Sequence, residues 1–259
     1  MDKSLIIFCN CQTRQGSEKW VAASEILNNT ERISIVSIQD LCGLCALEPG
    51  KARSLFEGSA KVLLLACQPR ALKLLLQYAG IEKENKIRFF NLIEEESSAL
   101  EGLLPEYLNE GADTRSEKET VSGSAWPSWY PVIDYKRCNN CMQCADFCLF
   151  GVYSKTGSQV KVVNPQGCKN NCPACARICP NVAIIFPKYS AGGPISGSVS
   201  VDEAVEMQRL KKDTESILGD DIYQALEQRK LKKRLMIRED ALEQAKRERD
   251  EARQQLNIE

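Results

Sequence analysis

The sequence predicts an α/β domain built on a parallel sheet, then a small cysteine-bound α+β lobe, then C-terminal helices. Three observations carry this expectation. Short β-branched runs alternate with helix-period patterns through residues 1–108. Eight of the 13 cysteines gather in residues 125–198 with much of the proline and glycine. From residue 199 onward, apolar residues recur at helical spacing.

Ser4 to Phe8 reads as the first strand. Ser17 is placed to cap a helix through about Leu27, with Trp20, Ala23 and Leu27 on one face. Ile33 to Ile38 is a second strand. Val62 to Ala66 is a third, continuously apolar and therefore expected to be buried on both faces. Pro69 suits the first turn of the next helix and Gly80 its end. Ile87 to Asn91 makes a fourth strand, and Glu94 to Leu108 a closing helix. Repetition of strand and helix implies helices on both faces of a parallel sheet.

Residues 109–124, NEGADTRSEKETVSGS, contain almost nothing to bury and read as a flexible linker. The segment 125–198 has too few large apolar side chains for an ordinary core and needs a staple. In 199–259, Ser200 to Glu203 has the form of a capping box for a helix ending at Gly219. Asp220 or Asp221 then caps a longer helix. There Leu231, Leu235, Leu242, Ala245, Ala252 and Leu256 share one heptad frame with Arg238 and Arg249, a short and imperfect coiled-coil seam. The basic run Arg229 to Arg234 is largely offset by nearby acidic residues. This tail is a candidate for self-association, for docking to a partner, or for folding back on its own chain.

Composition excludes several function classes. With 34 basic and 35 acidic side chains, the net charge of −1 gives no bulk attraction to nucleic acid or anionic membrane. Mean hydropathy is −0.31, and the longest apolar stretch, Val62 to Gly80, is broken by Gln68, Arg70, Lys73 and Gln77, so no membrane span is expected. The start of the chain shows no secretory pattern. Histidine is absent, which removes imidazole as base or ligand. No phosphate loop or dinucleotide glycine fingerprint is present. Thirteen cysteines in a chain expected to be cytoplasmic argue for metal rather than disulfides.

The strongest signal is Cys138-x2-Cys141-x2-Cys144-x3-Cys148, followed by Cys168-x3-Cys172-x2-Cys175-x3-Cys179-Pro180. Eight cysteines in two groups of four suit two [4Fe-4S] clusters. Three closely spaced cysteines reach three corners of one cube, and the fourth reaches the other cube. One cluster is therefore expected to take Cys138, Cys141, Cys144 and Cys179, the other Cys168, Cys172, Cys175 and Cys148. Zinc is the bland alternative, but it favours paired C-x2-C knuckles set well apart. Clusters that only hold the lobe together are a second. The segment resembles the bacterial-type two-[4Fe-4S] ferredoxin domain over roughly 131–188. In that resemblance, Val132–Asp134 and Ala183–Ile185 match short strands flanking the motifs. Leu149 stands where that family has proline, and the second motif opens with x3 rather than x2.

Cys9, Cys11, Cys42, Cys45 and Cys67 follow the first three strands and so fall at the carboxyl edge of the expected sheet, where open α/β sheets bind ligands. Five thiols there suggest a third metal site. Plain packing and a C-x-x-C dithiol at Cys42 and Cys45 are the alternatives. IIFCNCQ (6–12), CALEPG (45–50) and LLLACQPR (63–70) resemble the N-terminal domain of the large flavin subunit of heterodisulfide reductase. They are more distantly similar to the small iron–sulfur subunit of the associated hydrogenase. This resemblance implies an iron–sulfur cluster, [4Fe-4S] or [2Fe-2S], on Cys9, Cys11, Cys67 and one or both of Cys42 and Cys45. It also implies docking to partner subunits. It stops before that family's flavin domain.

The expectation is thus a flavodoxin-like parallel α/β domain with one candidate cluster, a ferredoxin-like lobe with two, and a helical tail. The expected function is passage of single electrons between redox partner proteins, as an electron-carrying subunit of an anaerobic oxidoreductase complex rather than as a complete enzyme. A redox-responsive scaffold working through the tail, and a dithiol oxidoreductase using the first-domain cysteines, are the competing readings. Arg70 is either a solvated side chain or a charge that stabilises a reduced cluster. Trp126, Trp129 and Tyr130 either pack on the lobe or face a partner.

Overall fold

Five strands, β1 (Lys3–Cys9), β2 (Ser34–Ile38), β3 (Ser59–Ala66), β4 (Ile87–Asn91) and β5 (Glu117–Val121), form one sheet in the order β4-β3-β1-β2-β5. All four pairings are parallel. This computed structural model describes residues 3–11, 16–81, 86–109 and 117–198, together with Asp202, Val205 and Gln208. The first four strands have the 2-1-3-4 order of a doubly wound sheet, whose order reverses between β1 and β3.

The alternation of side chains along the strands sorts the core into two layers. Ile6, Phe8, Ile35, Leu63 and Leu65 face α1 (Glu18–Asn29), α5 (Ser97–Leu103) and the 3-10 turn Leu104–Tyr107. Ile7, Val36, Ile38, Leu64 and Ala66 face α2 (Leu41–Leu47), α3 (Pro49–Phe56) and α4 (Pro69–Tyr78). Trp20, Ala23 and Leu27 are the buried face of α1, as their spacing requires. Ser17 sits at the N-cap, but its side chain makes no capping bond. Its carbonyl instead accepts the amides of Trp20 and Val21. Pro69 opens α4, and Gly80 at φ +76° ends it, with the amides of Gly80 and Ile81 closing on Gln77 and Leu76.

Three sequence expectations are corrected. Helices α2 and α3 occupy residues that gave no helical signal: the LCGLCAL run of α2 is apolar almost all round and has no polar face to set a period, and the eight residues of α3 bury only Ala52 and Phe56. The expected helix Glu94–Leu108 is shorter. Asn91 and Glu95 lock a turn, the Asn91 amide donating to Glu95 Oε1 at 2.6 Å, and Pro105 shifts the end of α5 into a 3-10 turn. The linker 109–124 is not all linker. Residues 117–121 add to β2 as the sheet's outer strand, which needs little apolar content because only one edge of it pairs. Val121 there is deeply buried.

β6 (Val132–Ile133) pairs antiparallel with β9 (Ile184–Ile185), closing the two ends of the cysteine-rich segment on each other. Between them lie α6 (Gln143–Phe147), the hairpin β7 (Tyr153–Thr156) and β8 (Gln159–Val162), and α7 (Ala174–Arg177); α8 (Gly193–Ser196) follows. A small core of Trp129, Ile133, Val160, Ile184 and Phe186 holds this segment. No seam isolates it. Tyr130, Val132 and Ile185 belong to the same buried cluster as α2 and α4 of the sheet domain. Arg70 in α4 pairs with Asp134 at 3.2 Å, both largely buried, and reaches the carbonyls of Val182 and Pro194. It is thus neither solvated nor aimed at the thiols of its own domain. Met1–Val201 form one compact unit and Asp202–Glu259 another.

In that second unit the Val205 amide donates to Asp202 Oδ1 at 3.1 Å, an N-cap bond. Ser200, Glu203, the helix end at Gly219 and the heptad seam Leu231–Leu256 lie outside the described residues. Among the described residues, no helix is long and apolar enough to cross a membrane.

Candidate metal centres

The three central strands deliver thiols to one edge. β1 ends at Cys9, with Cys11 two residues on. β3 ends one residue before Cys67, and β2 leads through Asp40 into the first turn of α2, which carries Cys42. Cys9, Cys11, Cys42 and Cys67 line one cavity of about 110 Å³, together with Trp20 and Lys188. Trp20 fixes the rim by donating from Nε1 to the Cys9 carbonyl at 2.9 Å. Cys45 does not join them. One turn further along α2 it is fully buried, on the side of Tyr78 and Tyr130. The structure therefore separates Cys42, which shares the thiol cavity, from Cys45, which does not.

These sulfurs sense one another. A hydrogen bond with Cys11, then burial and the nearby Cys42 and Cys67, hold the Cys9 thiol well above its ordinary range. Burial, then Asp40 and Cys67, do the same to Cys42, against the opposing pull of Lys188. Burial and Asp40 push Cys45 up to about 12. Neither cysteine of C-G-L-C is thus an exposed, low-pKa nucleophile of the dithiol kind.

Asp40 organises the floor of this site. Its Oδ1 lies 3.1 Å from Lys188 Nζ, and its Oδ2 accepts from the Ser128 hydroxyl. Gly43 permits that approach: a Cβ there would sit 2.6 Å from Asp40 Oδ2 and 2.7 Å from Ser128 Oγ. Tyr130 donates its hydroxyl to the Cys42 carbonyl at 2.8 Å and stacks on Trp126. Nothing in the sequence pattern marks Lys188, Ser128 or Asp40 as neighbours of these thiols. The one local hint is Asp40 standing two residues before Cys42.

In the lobe, the first motif turns tightly because Asn140 and Met142 adopt left-handed backbone, φ 57° and 63°, and the Cys141 amide donates to Asn139 Oδ1. Cys138, Cys141, Cys144 and Cys179 line a common cavity. Burial, with Cys179, Cys138 and Cys141 adding to it, pushes Cys144 up to about 11. Backbone amides already point at two of the sulfurs, Asn140 N–H at Cys138 (3.4 Å) and Ala183 N–H at Cys179 (3.3 Å). The second amide is aimed by Val182, a β-branched residue at φ 49°, a strained conformation.

The other set also crosses between motifs. Cys148 lies beside Cys168 and Cys175 rather than with its own motif's cavity. Cys168 is pushed up to about 12 by burial, then by Cys148 and Cys172. Cys175 reaches about 12 chiefly through burial, against the lowering influence of the nearby Tyr153 hydroxyl. The added residue of the second motif is absorbed at Asn171, φ 58°, a conformation asparagine tolerates. Trp129 donates from Nε1 to the Cys172 carbonyl (3.4 Å) and stacks on Phe186, so it packs on the lobe.

The donor chemistry fits thiolate-ligated clusters. Each group is all sulfur, buried or half-buried apart from the exposed Cys141, and backbone amides aim at two of the sulfurs in the lobe. Among the described residues, no three Cys, Asp or Glu side chains close tightly enough for one metal ion to sit among them. A wider concavity of about 650 Å³ between α1 and α5 is lined by Glu25, Asn29, Glu101 and apolar neighbours, and carries no thiol.

Comparison with known proteins agrees with the cysteine-rich segment. The chain is 52% identical over 61 residues to an uncharacterized ferredoxin of Methanocaldococcus jannaschii. The match covers 23% of this chain and 42% of that protein, so the chain spans less than half the length of this relative. It supports a ferredoxin-like iron–sulfur segment. No family profile matches the chain. No solved structure matches it.

Proposed function

We propose that this chain is an iron–sulfur electron-transfer protein that passes single electrons between partner proteins. In this reading the lobe holds two [4Fe-4S] clusters, one on Cys138, Cys141, Cys144 and Cys179, the other on Cys168, Cys172, Cys175 and Cys148. A third cluster is held by Cys9, Cys11, Cys42 and Cys67. The carrying observation is the crossing of the two cysteine sets, each completed by a thiol from the other motif. The similarity to a ferredoxin supports the same reading. An iron–sulfur cluster supplies reversible uptake and release of one electron at a potential set by its surroundings.

The chain's own residues do the rest. Burial holds the Cys144 and Cys175 thiols in their protonated form near neutrality, so loading releases protons there and is driven by the metal. The Asn140 and Ala183 amides give hydrogen bonds that offset charge on the sulfurs. Zinc favours paired C-x2-C knuckles. The x2-x2 spacing of Cys138, Cys141 and Cys144 suits a polynuclear group better. The dithiol reading is disfavoured by the burial of both Cys42 and Cys45. Membership of a larger oxidoreductase of the heterodisulfide reductase type rests on the short motifs of residues 6–70 and belongs to this proposal.

Anaerobic purification, iron and sulfide analysis and an EPR-monitored redox titration test it. About eight irons per chain are expected from the lobe and about twelve with a third cubane, or about ten if the third site is [2Fe-2S]. Reversible one-electron signals should appear. A colourless or zinc-only preparation would remove the reading, as would clusters that cannot be reduced and reoxidised.

A further inference from the structure

We infer that Lys188, supplied by the lobe, is the charge-compensating positioning residue of the thiol site in the α/β domain, so that this site is complete only when both parts of the chain are folded together. The inference rests on the proposed third cluster and goes beyond it. Its basis is placement. Lys188 lines the cavity with Cys9, Cys11, Cys42 and Cys67, yet follows β9 on the other side of the chain's architecture. It is held there from several directions. Phe186, two residues back, donates its amide to the Ile195 carbonyl at 2.7 Å and stacks on Trp129. Asp40, itself fixed by Ser128, meets the ammonium at 3.1 Å.

Stability alone does not account for this arrangement. The Lys188 and Asp40 side chains are only 13% and 8% exposed. Burying such a pair gains little over apolar residues of the same volume, because desolvation offsets the attraction. A buried cation is better explained where further negative charge must be balanced. Four thiolates supply it. Adding an electron to a group held by these sulfurs deepens the local negative charge, and a fixed ammonium beside it favours the reduced form. Asp40 acts in the opposite sense. The two residues therefore form a pair with opposed effects on one equilibrium, which a purely structural contact would not produce.

The test uses the full chain purified without oxygen, with Lys188→Met, Lys188→Arg and Asp40→Asn, read by iron content and by EPR redox titration of the signal remaining after those of the lobe are assigned. Lys188→Met should make reduction of the third site roughly tenfold less favourable, a fall of about 59 mV for a one-electron couple. Lys188→Arg should stay close to wild type, and Asp40→Asn should move the potential upward. Selective loss of the third site's iron in Lys188→Met, with retention in Lys188→Arg, also supports the inference. An unmoved third potential in Lys188→Met overturns it. So does a shift of Lys188→Met and Asp40→Asn in the same direction, or loss of the third site in Lys188→Arg as well. If wild type carries only the lobe's eight irons, it is the third cluster itself that fails, and this inference falls with it.

Discussion

Replacing Cys42 and Cys45 one at a time by alanine separates ligand from filler within a single helix. The two are three residues apart, yet only Cys42 shares the cavity with Cys9, Cys11 and Cys67. Cys42→Ala removes one of four thiols, so the third site is expected to empty and the iron content to drop from about twelve to about eight per chain, or from about ten to about eight for a two-iron centre. Cys45→Ala removes a buried sulfur that does not line that cavity. Its cost is that of deleting roughly one methylene-sized atom from a packed interior, about 1–2 kcal/mol, felt in denaturant stability and not in iron. Parallel iron analysis and low-temperature EPR of the two variants, purified without oxygen, read the difference. Cys45→Ala losing iron while Cys42→Ala keeps it would refute the assignment and the cavity argument behind it.

Other consequences are open to measurement. Tyr153→Phe removes the buried hydroxyl near Cys175 and should lower the potential of the cluster held there by an amount on the order of 1 kcal/mol, with a smaller shift of the Cys138 set in an EPR titration. Gly43→Ala gains helix propensity but places a methyl against Asp40 and Ser128. A net loss of about 1–3 kcal/mol is expected in a denaturant melt. Arg70→Met strands Asp134 in a largely buried position and should cost about 3–5 kcal/mol at most, while the double variant with Asp134→Asn recovers part of it in a double-mutant cycle. Cys45, raised by burial from 9.0 to about 12, favours the folded state while it is protonated. Its contribution is whole below the unfolded thiol's pKa and fades as pH climbs from about 9 to 12. Wild-type melting temperature should therefore fall across that interval more steeply than that of Cys45→Ala.

What could be read from the sequence follows from how each feature announces itself. The first four strands were legible because Ile6, Val36, Leu64 and their neighbours form apolar runs bounded by turn residues. The eight lobe cysteines were legible because their spacing is local and unusual. β5 was not, since an outer strand carrying Lys118 and Glu119 looks like solvated coil until β2 is placed beside it. Nor was α2, because a helix buried nearly all round shows no polar face to set a period, nor α3, whose eight residues bury only Ala52 and Phe56. The choice between Cys42 and Cys45 turned on which way one helix faces, and Lys188 reaches its thiols through a tertiary contact with no local trace. Arg70 stood at a helix start in the sequence, and only the fold shows its partner, Asp134, 64 residues away.

The outer position of β5 bears on how this polypeptide can be divided. A cut after residue 108 would take away the neighbour that hydrogen-bonds to Ser34–Ile38, leaving a long, mostly apolar ribbon of backbone donors and acceptors without mates. Such a border invites another molecule to zip onto it. The front half, prepared by itself, should therefore self-associate, and any truncation intended to isolate it must run past Val121 to keep its own side sealed.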